Sequence, residues 1–199
     1  MTDVFFLSGW AGPETLFSSF SGRWLFAAPF LDGDERTLLE RLATCGTRVL
    51  GGWSTGAHMI VKHAAAVLPR FERVVLVAPF LRFSDSLPTR VTQAMVAGLA
   101  QDPEATTRAF WKNCGIAGHP AWQPAWSGPL ATGLDYLLTS AAPQTPVAAA
   151  NVTILYGETD RIVRRKALDK VLAALPGARL IPYSGGHYPD SAVLAAHLF

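Results

Sequence analysis

Arg48-Val49-Leu50-Gly51-Gly52-Trp53-Ser54-Thr55-Gly56 is the stretch that decides how this chain of 199 residues is read. Arg48–Gly52 is short and apolar on both faces, the signature of a buried strand. It runs into Gly52-Trp53-Ser54-Thr55-Gly56, a G-x-S-x-G pattern, and an Ala-rich helical pattern follows over Thr55–Leu68, with Pro69 just past its end. Five residues with three fixed recur by chance, and it is the strand before and the helix after that make the pattern specific. The glycines have a mechanical reason, since the turn is so sharp that positions two residues from the serine must lack side chains. Such a turn lifts the Ser54 hydroxyl to the top of a sheet and points the amide-rich start of the helix at it. The competing reading is an ordinary Gly-rich β–α turn with Ser54 as a helix cap.

Outward from this stretch, apolar runs alternate with helical patterns. Further runs lie at Val4–Leu7, Trp24–Ala28, Arg73–Ala78, Val152–Tyr156 and Arg179–Tyr183, each followed by a loop rich in Gly, Pro or Asp. Helices are expected over Asp34–Ala43, with Leu38, Leu39 and Leu42 on one face and Asp34 as N-cap, over Arg164–Leu175 and over Asp190–Leu198. Repeated β–α units predict an α/β fold of about six parallel strands, buried on both faces under helices. From about Phe80 to Ala149 no strand is expected. Helices at Arg90–Ala100, Pro103–Asn113 and Leu130–Ser140 flank the irregular aromatic linker Gly115–Trp126. The organisation expected is a core of residues 1–79 and 150–199, interrupted by a helical cap, 80–149, over the carboxyl edge of the sheet. A separate helical domain is less apt, because both ends return to the same sheet.

Apolar residues make up 50% of the chain and charged residues 16%, where about 25% is typical. A disordered chain is excluded. The mean hydropathy of +0.23 raises the question of a membrane protein, but no apolar run reaches the ~18 residues of a spanning helix. The net charge is +2, and the one short basic cluster, Arg161, Arg164, Arg165 and Lys166, is no stripe for nucleic acid. Cys45 and Cys114 make neither a metal-ligand spacing nor a disulfide framework, so reduced thiols are expected. Met-Thr-Asp at the start carries no positive segment, so no signal peptide is expected and a cytoplasmic location is.

A serine hydroxyl is a poor nucleophile until a base takes its proton. Gly185-Gly186-His187-Tyr188-Pro189 follows the last strand, and its glycines would let His187 reach Ser54. The imidazole needs an acid to hold its tautomer, and Tyr156-Gly157-Glu158-Thr159-Asp160 supplies one after the preceding strand. Asp160 is preferred over Glu158 by its place in the loop. Each of Ser54, Asp160 and His187 falls just past the carboxyl end of a strand, where open α/β sheets place their sites. The N–H of Thr55 and that of Trp10, in the loop Leu7-Ser8-Gly9-Trp10-Ala11-Gly12, are the candidate donors to an oxyanion. His58 reads as a packed or surface histidine. His63, His119 and His197 have no partner motif, His119 being a candidate pocket residue of the cap.

With these residues in place, the chain resembles the α/β-hydrolases, in which Ser, Asp and His follow one another in this order. The usual opening antiparallel strands are not expected ahead of the Ser8-Gly9-Trp10 loop, and the superfamily's topology implies a spatial order in which the second strand lies outermost beside the first, followed by the third to the sixth. Within it the chain is most similar to the pimeloyl-[acyl-carrier protein] methyl ester esterases of biotin synthesis. Ser8-Gly9-Trp10, Gly52-Trp53-Ser54-Thr55-Gly56, Leu155–Asp160 with Ile162-Val163 and Arg165-Lys166, His187 before Pro189, and Phe110-Trp111 carry that similarity. It implies a serine esterase that needs no cofactor or metal, cleaving a methyl ester from a carrier-bound acyl group. Trp10, Phe80, Phe83, Phe110, Trp111, Trp122 and Trp126 are then expected to wall an apolar acyl site. Arg82, Arg90, Arg108 and Lys112 would meet an acidic acyl-carrier protein. Ser8-Gly9 departs from the His-Gly of many relatives, and four acidic residues, Asp85, Asp102, Glu104 and Asp135, offset the four basic ones. The alternatives are a thioesterase or lipase-like hydrolase of the same fold, and a non-catalytic module that binds a ligand or partner.

Overall fold

Strand β3 (Val49–Trp53) is the axis of the sheet. In the computed structural model, which describes residues 3–118 and 120–199, it pairs with β1 (Val4–Leu7) on one side and β4 (Arg73–Val77) on the other. β2 (Leu25–Ala27) adds beside β1, and β5 (Val152–Gly157) and β6 (Arg179–Tyr183) continue beyond β4. The six strands are parallel in the order β2-β1-β3-β4-β5-β6, the order that the resemblance implies. Leu7 pairs with Gly52 and Trp53 with Val77, so the carboxyl ends of β1, β3 and β4 come level.

Burial on both faces holds for β1 and β3 and for most of β4 and β5. It fails at the two edges, where the expectation of six fully covered strands is corrected. Leu25 in β2 is exposed, and β6 holds only exposed and half-buried residues. An edge strand has water on one side, and Pro182 leaves β6 without one backbone donor for a stray strand to pair with.

Helices α1 (Glu35–Thr44), α2 (Thr55–Lys62) and α3 (Ala64–Val67) lie between the first four strands. Asp34 caps α1 by accepting the Thr37 N–H at 2.8 Å, and Leu38 and Leu42 are buried. The expected helix over Thr55–Leu68 is broken. His63 has φ −110° and ψ 23°, at the point where Lys62 and His63 both reach the Glu35 carboxylate. After α3, Pro69 cannot donate into a helix, and the chain tightens into a 3-10 turn over Leu68–Arg70.

Between β4 and β5 come α4 (Thr89–Gln101), α5 (Pro103–Cys114) and α6 (Ser127–Thr139). α6 starts three residues before the expected Leu130, because Pro129 is tolerated in a first turn. The ends of this insertion meet, with the Ala142 N–H donating to the Leu81 carbonyl at 2.8 Å. α7 (Arg165–Ala174) and α8 (Ser191–Leu198) follow β5 and β6. Among the described residues no helix is long and apolar enough to cross a membrane.

His58, fully buried in α2, joins the sheet layer to α6. Its Nδ1 lies 2.9 Å from the Phe80 carbonyl and its Nε2 2.9 Å from Ser140 Oγ, and the ring stacks on Phe80. Burial lowers its pKa from 6.5 to about 4, against the opposing pull of the Phe80 carbonyl. The unfolded chain therefore takes up a proton that the folded chain refuses. This contribution to stability is complete above pH 6.5 and is lost as pH falls toward 4. Urea unfolding should show a loss of roughly 3 kcal/mol from this group between neutral pH and pH 4, a slope that His58→Gln removes.

Candidate active site

Ser54 sits at the turn from β3 to α2 with φ 53° and ψ −111°, a backbone that an L-residue holds only under constraint. Its N–H continues the sheet by donating to the Val77 carbonyl at 2.9 Å, and the Gly56 N–H donates to the Ser8 carbonyl at 3.0 Å. A Cβ on Gly56 would lie 2.4 Å from the carbonyl oxygens of Leu7 and Ser8, so the turn is jammed against the end of β1.

The structure brings Ser54, His187 and Asp160 into one hydrogen-bonded chain. His187 Nε2 is 2.9 Å from Ser54 Oγ, and Nδ1 is 2.8 Å from Asp160 Oδ2. An ionised carboxylate only accepts, so the ring proton belongs on Nδ1 and Nε2 is left to accept from the serine hydroxyl. Asp160 is itself fixed, because its Oδ1 accepts the N–H groups of Ile162 at 2.7 Å and Val163 at 2.9 Å. Glu158 is exposed, and the carboxylate that His187 meets is that of Asp160. Ser54 is 4% exposed and His187 0%, so the centre is covered.

Backbone and indole contacts that the sequence does not advertise hold these loops. Trp53 Nε1 donates to the His187 carbonyl at 2.9 Å, and the Tyr188 N–H donates to the Cys114 carbonyl at 3.0 Å. Ser86 Oγ donates to the Ile162 carbonyl and accepts the Arg164 N–H, each at 2.6 Å, clamping the loop after Asp160. Thr159 binds the Gly185 carbonyl through both N–H and hydroxyl. Burial, with the charge of Asp160 second, pushes the Cys114 thiol up, so it stays protonated.

The loop after β1 is held rather than free. The Trp10 N–H donates to Thr55 Oγ1 at 3.3 Å, and the Trp10 indole donates to the Leu130 carbonyl at 2.9 Å. The Thr55 N–H belongs to the first turn of α2, where amides have no partner inside the helix. Trp10, Phe80 and Trp111 are buried between the cap helices and the sheet edge. Phe110 packs edge-on to Trp10 and borders an apolar cavity of about 310 Å³ between α4 and α5, lined also by Leu87, Val91, Met95 and Ile162. Trp122 and Trp126 are half-buried and meet edge to face, and Phe83 lines the same cavity as Phe110. Arg82, Arg90 and Lys112 are exposed, whereas Arg108 is paired with Glu104 at 2.7 Å. His119 lies outside the described residues.

No family model and no curated protein matches the sequence. Solved structures match its fold. An esterase from Exiguobacterium antarcticum is 16% identical with a TM-score of 0.70, over 92% of this chain and 84% of that one. The α/β hydrolase MGS-M2 from a Medee basin deep-sea metagenome library is 12% identical with a TM-score of 0.65, over 98% and 86%. BioG from Haemophilus influenzae is 15% identical with a TM-score of 0.63, over 98% and 94%. At these identities the likeness is one of fold, and the chain has the α/β-hydrolase fold.

The acid loop and the histidine loop touch at Gly157, where a Cβ would lie 2.0 Å from the Gly186 carbonyl oxygen. Gly157→Ala should therefore lower the melting temperature by about 5–10 °C, read by circular dichroism, as the two loops are forced apart.

Proposed function

We propose that this chain is a serine hydrolase of carboxylic esters, with Ser54 as nucleophile, His187 as general base and acid, and Asp160 as the group that orients His187. The observation that carries the reading is the unbroken hydrogen-bonded chain from Ser54 Oγ through His187 to Asp160. Ser54 Oγ attacks the ester carbonyl carbon as its proton passes to His187 Nε2. The oxyanion is received by the Thr55 and Trp10 amides. The Trp10 N–H, held at rest by the Thr55 hydroxyl, exchanges a long neutral bond for a charged acceptor. Collapse breaks the bond to the alcohol, which leaves with the proton from His187. Water then gives a proton to His187, adds to the acyl-serine carbonyl and releases the acid, and the proton returns to Ser54 Oγ. Ser54 is almost fully buried, so residues that cover it must move to admit substrate.

The apolar cavity bordered by Phe110, whose ring packs edge-on to Trp10, is the acyl subsite we favour. The methyl ester of a pimeloyl group on acyl-carrier protein is the substrate we favour. The motif resemblance supports it, as do the exposed Arg82, Arg90 and Lys112 on the cap side. Arg108 contributes less to such a dock, because Glu104 already neutralises it.

Turnover of p-nitrophenyl esters tests the chemistry. Ser54→Ala should lose activity by about 10⁴-fold or more and stop reacting with a fluorophosphonate, whereas unchanged hydrolysis would sink the assignment. Asp160→Asn should lower kcat by about 10⁴-fold while Glu158→Gln stays within about twofold. Arg90→Ala with Lys112→Ala should raise KM for a carrier-bound ester several-fold and leave p-nitrophenyl ester kinetics alone; equal effects on both would remove the carrier.

A further inference from the structure

We infer that Trp111, from the cap, is a positioning residue for the Trp10 amide: it pins the Ala11 carbonyl, at the far end of the Trp10-Ala11 segment from that amide, and so sets kcat through the segment. The inference rests on the hydrolase reading above, since the amide matters only if an oxyanion forms beside it.

Ala11, one residue past Trp10, has φ 53°, a left-handed backbone that costs an L-residue about 1 kcal/mol or more and persists only where neighbours hold it. The Trp111 indole is the neighbour. Its Nε1 donates to the Ala11 carbonyl at 2.6 Å, and Trp111 and Ala11 are both buried. On the other side, the Trp10 N–H is directed at Thr55 Oγ1. The short segment Trp10-Ala11 is thus bracketed by the core at its N–H and by the cap at its carbonyl. The same helix, α5, also meets the other half of the site, where the Cys114 carbonyl receives the Tyr188 N–H next to His187. One cap helix therefore registers the oxyanion loop and the histidine loop together. Tryptophan brings an N–H that phenylalanine lacks, and Ala11 receives it.

Trp111→Phe keeps an aromatic ring at this buried position and removes the donor, together with one ring of the indole. The readouts are kcat and KM on p-nitrophenyl butyrate, and the affinity of a trifluoromethyl ketone, whose serine adduct places an oxyanion in the hole. The expected result is a kcat lower by about 10- to 100-fold with KM within about twofold, and a loss of ketone affinity in proportion to kcat/KM. Trp111→His, which keeps a ring N–H, should recover part of the loss. Trp24→Phe removes a different indole bond, from Trp24 Nε1 to Glu14 at 3.1 Å, and should keep the wild-type kcat. A Trp111→Phe enzyme with wild-type kcat, or one in which KM rises and kcat holds, overturns the inference; the second result would put Trp111 in substrate binding. Should Trp111→Phe not fold, 3-benzothienylalanine introduced at position 111 decides, because it keeps both fused rings and replaces the N–H that donates to the Ala11 carbonyl with sulfur. A lower kcat at unchanged KM, with no fall in melting temperature, supports the inference, and wild-type kcat overturns it. A wild-type chain that turns over no ester and reacts with no fluorophosphonate instead removes the hydrolase reading itself.

Discussion

A serine at φ 53° between a strand and a helix cannot hold itself there, and much of the structure can be understood as what holds it. The Ser54 N–H needs the Val77 carbonyl, so β4 must lie on one side of β3. The Gly56 N–H needs the Ser8 carbonyl, so β1 must lie on the other. The first helical turn of α2 is then pressed onto the end of β1 with no space for a side chain at residue 56. These demands fix the three central strands and bring the loop after β1 to the serine. The strain at one residue and the order of the sheet are two aspects of the same set of contacts.

Much of this was legible in the sequence because it is local. Apolar runs followed by Gly- and Asp-rich loops mark strands wherever helices cover both faces, and β1, β3 and β4 bear this out. The edges misled because Leu25 and Ile181 look as apolar in sequence as Leu50 does, and only the sheet order reveals which strands have water on one side. The break at His63 depends on Glu35, 28 residues away, and leaves no trace in the helical pattern around it. Ser54, Asp160 and His187 could be named from their positions after three strands. The contacts that set their loops could not: Ser86 with Ile162 and Arg164, Trp53 with the His187 carbonyl, and Trp111 with Ala11 join residues dozens apart through backbone atoms that carry no residue-type signal.

The apolar excess of the composition also has a location. It lies in the covered strands and in a seam of large rings where the cap meets the carboxyl edge, with Trp10, Phe80, Phe110 and Trp111 all buried in it. Aromatic residues suit such a seam because each combines a large apolar face with, in tryptophan, one donor that can be used directionally. Trp10 and Trp111 use theirs in opposite senses, the first from loop to cap and the second from cap to loop. The seam is therefore adhesive and oriented at once, which an aliphatic interface of the same area would not be.

The hydrogen bond between Ala142 and Leu81 closes the insertion at its neck. Because the two ends leave and rejoin the sheet layer side by side, the span between them does not enter the geometry of β4 and β5. Lengthening such a loop costs chain entropy only logarithmically. The insertion can thus be exchanged, enlarged or rebuilt in descendants of this chain while the scaffold beneath keeps its register, so that what covers the carboxyl edge can change by grafting and not by refolding.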